Sequence, residues 1–255
     1  MKKTFLGHEN PLLCCMIQAE NPTDALSAIA KALDDSDAFG FQQEQLNPIY
    51  RTDEILTGIF DAMGDRPAYV TNYRGGFNKG LNDEELGEGL IRLVHQGGTL
   101  CDVIGDLYDR APMELTENPA AIDRQKRLIE RIHDAGGEVL MSFHVLKYIP
   151  AEEVVRIALA QQERGADIVK IVTGAYTEEE MLENLRITAL LKQELKVPYL
   201  FLSGGLCRLH RMIGPMLGCV MHLCVEEHDA LATKAQPNVH DVRIVMNHFN
   251  SAKIG

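Results

Sequence analysis

The sequence predicts a single-domain (β/α)8 barrel of the TIM type. Eight short β-rich runs alternate with helical patterns, their starts are 27, 29, 32, 38, 29, 31 and 21 residues apart, and no linker or compositional break divides the chain. Such spacing is about one strand-plus-helix unit, and eight units in about 250 residues fit a closed parallel barrel. A doubly wound open sheet is the alternative.

The expected strands cover residues 12–19, 39–46, 68–74, 100–107, 138–145, 167–173, 198–203 and 219–225. They read as apolar, β-branched runs, as strands buried on both faces should. Between them, helices open on recognisable signals. Asn21-Pro22 precedes 23–33, Thr52-Asp53-Glu54 a segment reaching Met63, and Asn82-Asp83-Glu84-Glu85 one reaching His95. Thr116-Glu117-Asn118-Pro119 precedes 120–135, which stops at Gly136-Gly137; Pro150-Ala151-Glu152-Glu153 opens a helix ending near Gly165. Thr177 with three glutamates opens one reaching Leu195, and 239–249 closes the chain. Acids in a first turn complement the helix dipole, and glycine after a last turn permits a left-handed cap.

Composition narrows the function. The chain has 255 residues, 45% hydrophobic and 24% charged, with a net charge of −12, no Trp and 6% aromatics. An acidic chain without a basic face is not expected to grip nucleic acid, and few aromatics leave little for base stacking. No apolar run approaches the roughly 20 residues of a membrane span, so no membrane partner is expected. Lys2 and Lys3 resemble the start of a signal peptide, but His8 to Pro11 interrupt any apolar core, so a cytoplasmic location is expected. Six cysteines, Cys14, Cys15, Cys101, Cys207, Cys219 and Cys224, form no C-x-x-C pair and lie mostly in apolar runs, which suits reduced, buried thiols.

The chemistry concentrates near the ends of strands five to eight. Lys170 stands within Ile168-Val-Lys-Ile-Val172 on strand six, where barrel packing buries both faces. Read blandly, it is a solvated edge lysine or a buried one paired with an acid. Read for chemistry, it is an amine nucleophile whose apolar pocket disfavours the ammonium, ready to attack a carbonyl and form a Schiff base. His144 ends strand five and shares a face with Ser142, one strand from Lys170. A core histidine is the plain alternative; beside a barrel lysine, acid–base work is the stronger reading. Ser203-Gly204-Gly205 after strand seven suits either a tight turn or an anion cradle. Arg211, ahead of Gly214-Pro215, and Arg74, ending strand three, suit carboxylate recognition. His222, Glu226, Glu227 and His228 cluster around strand eight, but as a metal site they rest on spacing alone, and a polar loop is preferred.

Ser142-Phe-His144, Pro150 and Gly165-Ala-Asp-Ile-Val-Lys-Ile171, followed by Arg211-x-x-Gly214-Pro215-x-x-Gly218, resemble the type I 3-dehydroquinate dehydratases. The likeness covers most of the chain and is densest from Glu138 to Gly218. It implies a cofactor-free, metal-free hydro-lyase of the shikimate pathway acting on a small-molecule keto acid. In that likeness Lys170 forms the Schiff base, His144 is its acid–base partner and Arg211 holds the substrate carboxylate. Arg74 matches an arginine after strand three, Gln236 a closing-loop residue on the substrate, and Asp102 a strand-four acid near the histidine. Gln236 and Arg243 keep the family's terminal spacing. A homodimer is one open assembly.

The departures from the family cluster in substrate recognition. The family's Glu-Trp-Arg on strand two reads Gln42-Gln43-Glu44 here, placing Gln42 and Glu44 where an acid and an arginine contact ring hydroxyls. The family acid after strand three is replaced near Asn78, the last loop reads Ala232-Thr-Lys-Ala-Gln236, and eleven residues before strand one leave little room for the family's N-terminal hairpin. A divergent member is therefore expected, with a substrate that need not be dehydroquinate. Gly165-Ala-Asp-x-Val-Lys170 with Ser203-Gly-Gly205 also resembles deoxyribose-phosphate aldolases, but the second lysine of that family corresponds to Phe201, and Ser142-Phe-His144 is unexplained by it. A non-catalytic ligand-binding relic of the barrel is the remaining alternative.

Overall fold

The computed structural model describes residues 3–251. Eight parallel strands follow one another around a nearly closed barrel: β1 (Leu12–Ile17), β2 (Ala38–Gln42), β3 (Ala68–Thr71), β4 (Leu100–Ile104), β5 (Glu138–His144), β6 (Ile168–Ala175), β7 (Tyr199–Gly205) and β8 (Met221–Cys224). Each pairs with its sequence neighbour from β1 to β7, and β8 returns to pair with β1. The β7–β8 seam carries no ladder among the described residues, but Val220 N–H donates to the Tyr199 carbonyl across it at 2.9 Å. The alternative open sheet is thereby excluded.

Strands β1 to β5 and β8 stop one to four residues short of their expected ends. Past the rim the chain has no neighbour to pair with, so Gln43–Gln45, for example, winds into a 3-10 turn. Strands β6 and β7 run two residues longer than expected, because they stay in register from Val169↔Tyr199 to Ala175↔Gly205. That register requires glycine at its end. Gly205 has φ +64°, and a Cβ there would sit 2.0 Å from the Ala175 carbonyl oxygen.

The helices are α1 (Pro22–Ala32), α2 (Asp53–Ala62), α3 (Asp83–Gln96), α4 (Pro119–Asp134), α5 (Ala151–Glu163), α6 (Glu178–Glu194), α7 (His210–Ile213) and α8 (Val239–Ser251). Their caps follow the sequence signals. Asn82 and Thr177 form reciprocal capping boxes with Glu85 and Glu180, and Asn21 caps α1 ahead of Pro22. The seventh unit is the exception: four helical residues lie between 3-10 turns at Leu206–Leu209 and Gly214–Leu217, in keeping with the 21-residue spacing.

Alternation along the strands sorts the core. Leu13, Phe39, Val70, Cys101 and Val139 pack outward against Ile29, Ile59, Leu90 and Ile129 of the helices. Leu12, Cys14, Leu100, Leu140, Ile168 and Leu200, at the alternate positions, join a second cluster. Among the described residues, the segment before β1 bends without forming a strand, and Phe5 is wholly buried, with its N–H donating 2.9 Å to Glu138 Oε2. All six cysteines are buried and unpaired.

Candidate active site

A cavity of about 460 Å³ opens at the C-terminal ends of the strands, where barrels of this class place their chemistry. Lys170 points into it from the middle of β6. Its Nζ donates to Tyr69 Oη at 2.8 Å, Asp102 Oδ2 at 3.1 Å and Tyr73 Oη at 3.2 Å. The amine is thus not set in an apolar pocket, as expected, but in a knot of two phenols and a carboxylate. The lysine is a buried one paired with an acid, and it also borders the cavity.

Asp102 organises that knot from β4. Its side chain is entirely enclosed. Oδ1 accepts from Ser142 Oγ, and Oδ2 accepts from Tyr69 and Tyr73 as well as from Lys170. The register explains the Ser142 contact, because β4 and β5 pair Asp102 with Leu140 and Ile104 with Ser142, leaving both polar groups facing inward. Burial alone would raise the Asp102 carboxyl; the positive Lys170, then His144, then the Ser142 and Tyr69 bonds outweigh it and hold the group below the usual carboxylate range. Burial, reinforced by the Asp102 charge, holds both phenols well above the usual tyrosine value.

His144 ends β5 and borders the same cavity. Its Nδ1 and its backbone N–H both donate to Glu114 Oε2, at 2.9 and 2.5 Å. A carboxylate on Nδ1 sets the tautomer, leaving Nε2 as the ring nitrogen that faces other partners. Glu114 adopts φ +47°, a left-handed conformation unusual for a side-chain-bearing residue, so the contact is held at some backbone cost. The His144 ring meets Tyr73 edge-on, with centroids 5.6 Å apart.

Arg211 borders the cavity from α7. Its Nε is buried without a hydrogen-bond partner, and burial lowers its pKa. Among the described residues it makes no ion pair, which leaves a guanidinium ready for a ligand anion. Gln236 also borders the cavity, with its Oε1 buried and unpartnered. Gln42 faces the same space, held by Gln18 Nε2; Gln18 Oε1 in turn accepts from Thr233 N at 3.2 Å. Met16 fills the floor beside Gly40, where a Cβ would come within 2.1 Å of the Met16 sulfur.

Two expected substrate contacts lie elsewhere. Arg74 is saturated by Asp83, with bonds of 2.9 and 2.8 Å, and by Asp106 at 2.6 Å, so it ties loops together outside the cavity. Glu44 lies in the 3-10 turn after β2, 2% exposed, accepting from Thr71 Oγ1 and from Tyr73 N. It braces the base of Tyr73 and does not reach the cavity; burial raises its pKa. Asn78 is likewise structural, bonded to Asn72, Tyr73 O and Arg51. The residues at strand eight disperse: Glu226 and Glu227 face Lys31, His228 bonds the Gln236 carbonyl, and burial pushes His222 down to about 4. No group of three metal-binding side chains occurs among the described residues. Arg243 pairs with Asp37, away from the cavity. Ser203-Gly204-Gly205 forms the tight end of β7, with Gly204 and Gly205 on the cavity wall.

Sequence reasoning missed Tyr69, Tyr73 and Glu114. Alternation on β3 would have placed Tyr69 inward, paired with Leu100 two residues before Asp102. Glu114 carried no signal, since it reaches His144 from a long irregular loop.

A parallel barrel with a cavity-lining lysine, an enclosed acid and an oriented histidine at its C-terminal mouth defines the Schiff-base lyase class. Phe201 stands wholly buried and packed edge-on against His210, outside the cavity, which removes the aldolase alternative's second lysine position. The chain belongs to the type I 3-dehydroquinase family, whose model matches residues 13–252. It is 26% identical to a 3-dehydroquinate dehydratase of Geobacillus thermodenitrificans, over 97% of this chain and 94% of that relative. The fold superposes on a 3-dehydroquinate dehydratase of Geobacillus kaustophilus with TM-score 0.81 and 18% identity, covering 98% and 96% of the two chains. It also superposes on the type I enzyme of Clostridium difficile bearing covalently modified comenic acid, with TM-score 0.79 and 19% identity, covering 96% and 95%.

Proposed function

We propose that the protein is a Schiff-base hydro-lyase that eliminates water from 3-dehydroquinate or a related hydroxylated cyclic keto acid. The observation that carries this reading is Lys170, an amine at the cavity wall with a carboxylate 3.1 Å away to take its proton. Freed of that proton, Nζ attacks the ketone and forms an imine. The protonated imine draws electrons from the adjacent carbon, which loses a proton; the β-hydroxyl then leaves as water. His144, oriented by Glu114, moves the protons of imine formation and hydrolysis and helps expel the hydroxyl. Arg211 holds the ring carboxylate, and Gln42 and Gln236 meet the hydroxyls. The imine is the electron sink, so the scheme uses no metal or cofactor.

The same reading carries a cytoplasmic location, which six buried, unpaired cysteines support. The test is borohydride reduction in the presence of 3-dehydroquinate, read by intact mass and peptide mapping. One adduct on Lys170, lost in Lys170→Ala, is expected. An adduct on another lysine, or none with the wild type, overturns the reading.

A further inference from the structure

Two tyrosines absent from the scheme above touch the reacting nitrogen. Lys170 Nζ reaches both phenol oxygens, and both phenols donate to the same oxygen of Asp102. The Asp102 side chain is fully enclosed, so a proton on Oδ2 enters or leaves the cavity through a neighbour. Tyr69 is 1% exposed, whereas Tyr73 is only part-buried and its ring meets His144. We propose that Tyr73 is a catalytic residue, the hydroxyl through which Asp102 exchanges a proton with the carbinolamine oxygen formed at Lys170. This rests on the Schiff-base reading and divides its proton transfers. Tyr73 with Asp102 passes a proton at the carbinolamine oxygen, while His144 with Glu114 serves the elimination and the remaining proton transfers at the imine.

The steps balance. The ion pair is the resting state, in line with the lowered Asp102 pKa, and as the ketone approaches, Lys170 ammonium gives one proton transiently to the Asp102 carboxylate, leaving a neutral amine beside a neutral acid. The amine nitrogen bonds to the ketone carbon, and a proton moves from nitrogen to oxygen, giving a carbinolamine. The Asp102 acid then protonates Tyr73 Oη as the Tyr73 proton passes to the carbinolamine hydroxyl. The C–O bond breaks, water leaves, the nitrogen lone pair forms C=N, and the iminium faces a carboxylate again. The buried pair is electrically neutral at each stage, which avoids the several kcal/mol cost of an unpaired buried ion. Geometry places the relay. The carbinolamine oxygen lies two bonds from Nζ, so a hydroxyl 3.2 Å from Nζ is within its hydrogen-bonding reach. Burial and the Asp102 charge keep the phenol protonated, so it acts by passing a proton on and not as a free phenolate.

The experiment is the rate of borohydride-trappable adduct formation with 3-dehydroquinate, by rapid quench, in wild type, Tyr73→Phe and Tyr69→Phe. Both substitutions delete a bond to Asp102 and both side chains line the cavity, but Tyr69 is 1% exposed whereas Tyr73 is part-buried with its ring against His144. Tyr73→Phe should slow trapping by about 10²-fold, the scale of a lost acid–base group, and by more than Tyr69→Phe does. Equal slowing in both, or a wild-type rate in Tyr73→Phe, overturns the proposal and leaves the Schiff-base reading standing. No adduct in the wild type overturns both. Should Tyr73→Phe not fold, 3-fluorotyrosine at position 73 keeps the bond and makes the phenol more acidic; an unchanged trapping rate then overturns the relay.

Discussion

Strands β3 to β6 and the segment after β3 set phenols, a carboxylate, a histidine and a lysine at the cavity wall or just behind it, whereas β8, β1 and β2 present aliphatic, thioether and amide groups. In the first sector Tyr69, Tyr73, Asp102, His144 and Lys170 are bonded to one another or to Glu114, with bonds of 2.5 to 3.2 Å among those quoted above. In the second, Met16, Leu223, Gln42 and Gln236 line the wall, and the polar contacts run through neutral Gln18 and Thr233. The difference separates two demands. Proton transfer needs ionisable groups fixed against one another, and the reacting sector is closed on itself before any ligand arrives. Recognition of hydroxyls needs donors and acceptors left over, and Gln236 Oε1 is one left unpartnered. The sectors should therefore respond differently to substitution, in turnover on one side and in affinity on the other.

The largest effect that would break this contrast is at His144. His144→Ala should lower kcat by about 10²- to 10⁴-fold while Lys170 still yields a trappable adduct. Turnover near wild type would make His144 a packing residue and remove elimination chemistry from that sector.

Glu114 sharpens the contrast at one remove. Glu114→Gly deletes the carboxylate that fixes the His144 ring and also relieves the φ +47° backbone, worth about 1 kcal/mol. Activity should fall by about 10- to 100-fold, the scale seen when a group orienting a histidine ligand is lost. KM should hold, and Tm should not drop with activity. A parallel loss of Tm and kcat would show that Glu114 only maintains the loop.

Much of the fold was legible because its signals are local. Caps at Asn21, Asn82 and Thr177 and the β-branched runs mark elements by neighbours in sequence. The site was legible where strand periodicity places residues, as with Lys170, Ser142 and His144, and Asp102 was reached only through the family resemblance. It was not legible where loops decide. Arg74 looked free until Asp83 and Asp106 closed around it, and both acids come from later segments. Glu44 falls inside the expected strand 39–46 but lies two residues past the end of β2, in a turn that redirects its side chain. Glu114 depends on a backbone conformation that no composition reports.

The smallest effects concern Gln42 and Glu44, which the sequence paired as readers of substrate hydroxyls and the structure separates. Gln42 faces the cavity, so Gln42→Leu should raise KM by about two- to tenfold, one hydrogen bond of roughly 0.5–1.5 kcal/mol, with Tm little changed. Glu44 is enclosed, so Glu44→Gln should leave KM alone and act on stability. Burial raises its folded pKa above the unfolded value, so the native state holds this proton more tightly. As pH rises from the unfolded pKa through the folded one, the unfolded chain ionises first and stability falls. That cost is absent at pH below about 4 and fully present once pH exceeds the folded pKa. Glutamine keeps partners for Thr71 and Tyr73 without the charge, so its Tm should match wild type in acid and exceed it at neutral pH. Thermal melts of both proteins across this range, beside steady-state kinetics, decide the matter. A rise in KM for Glu44→Gln, with no pH-dependent gain in Tm, would return Glu44 to the substrate side of the barrel mouth.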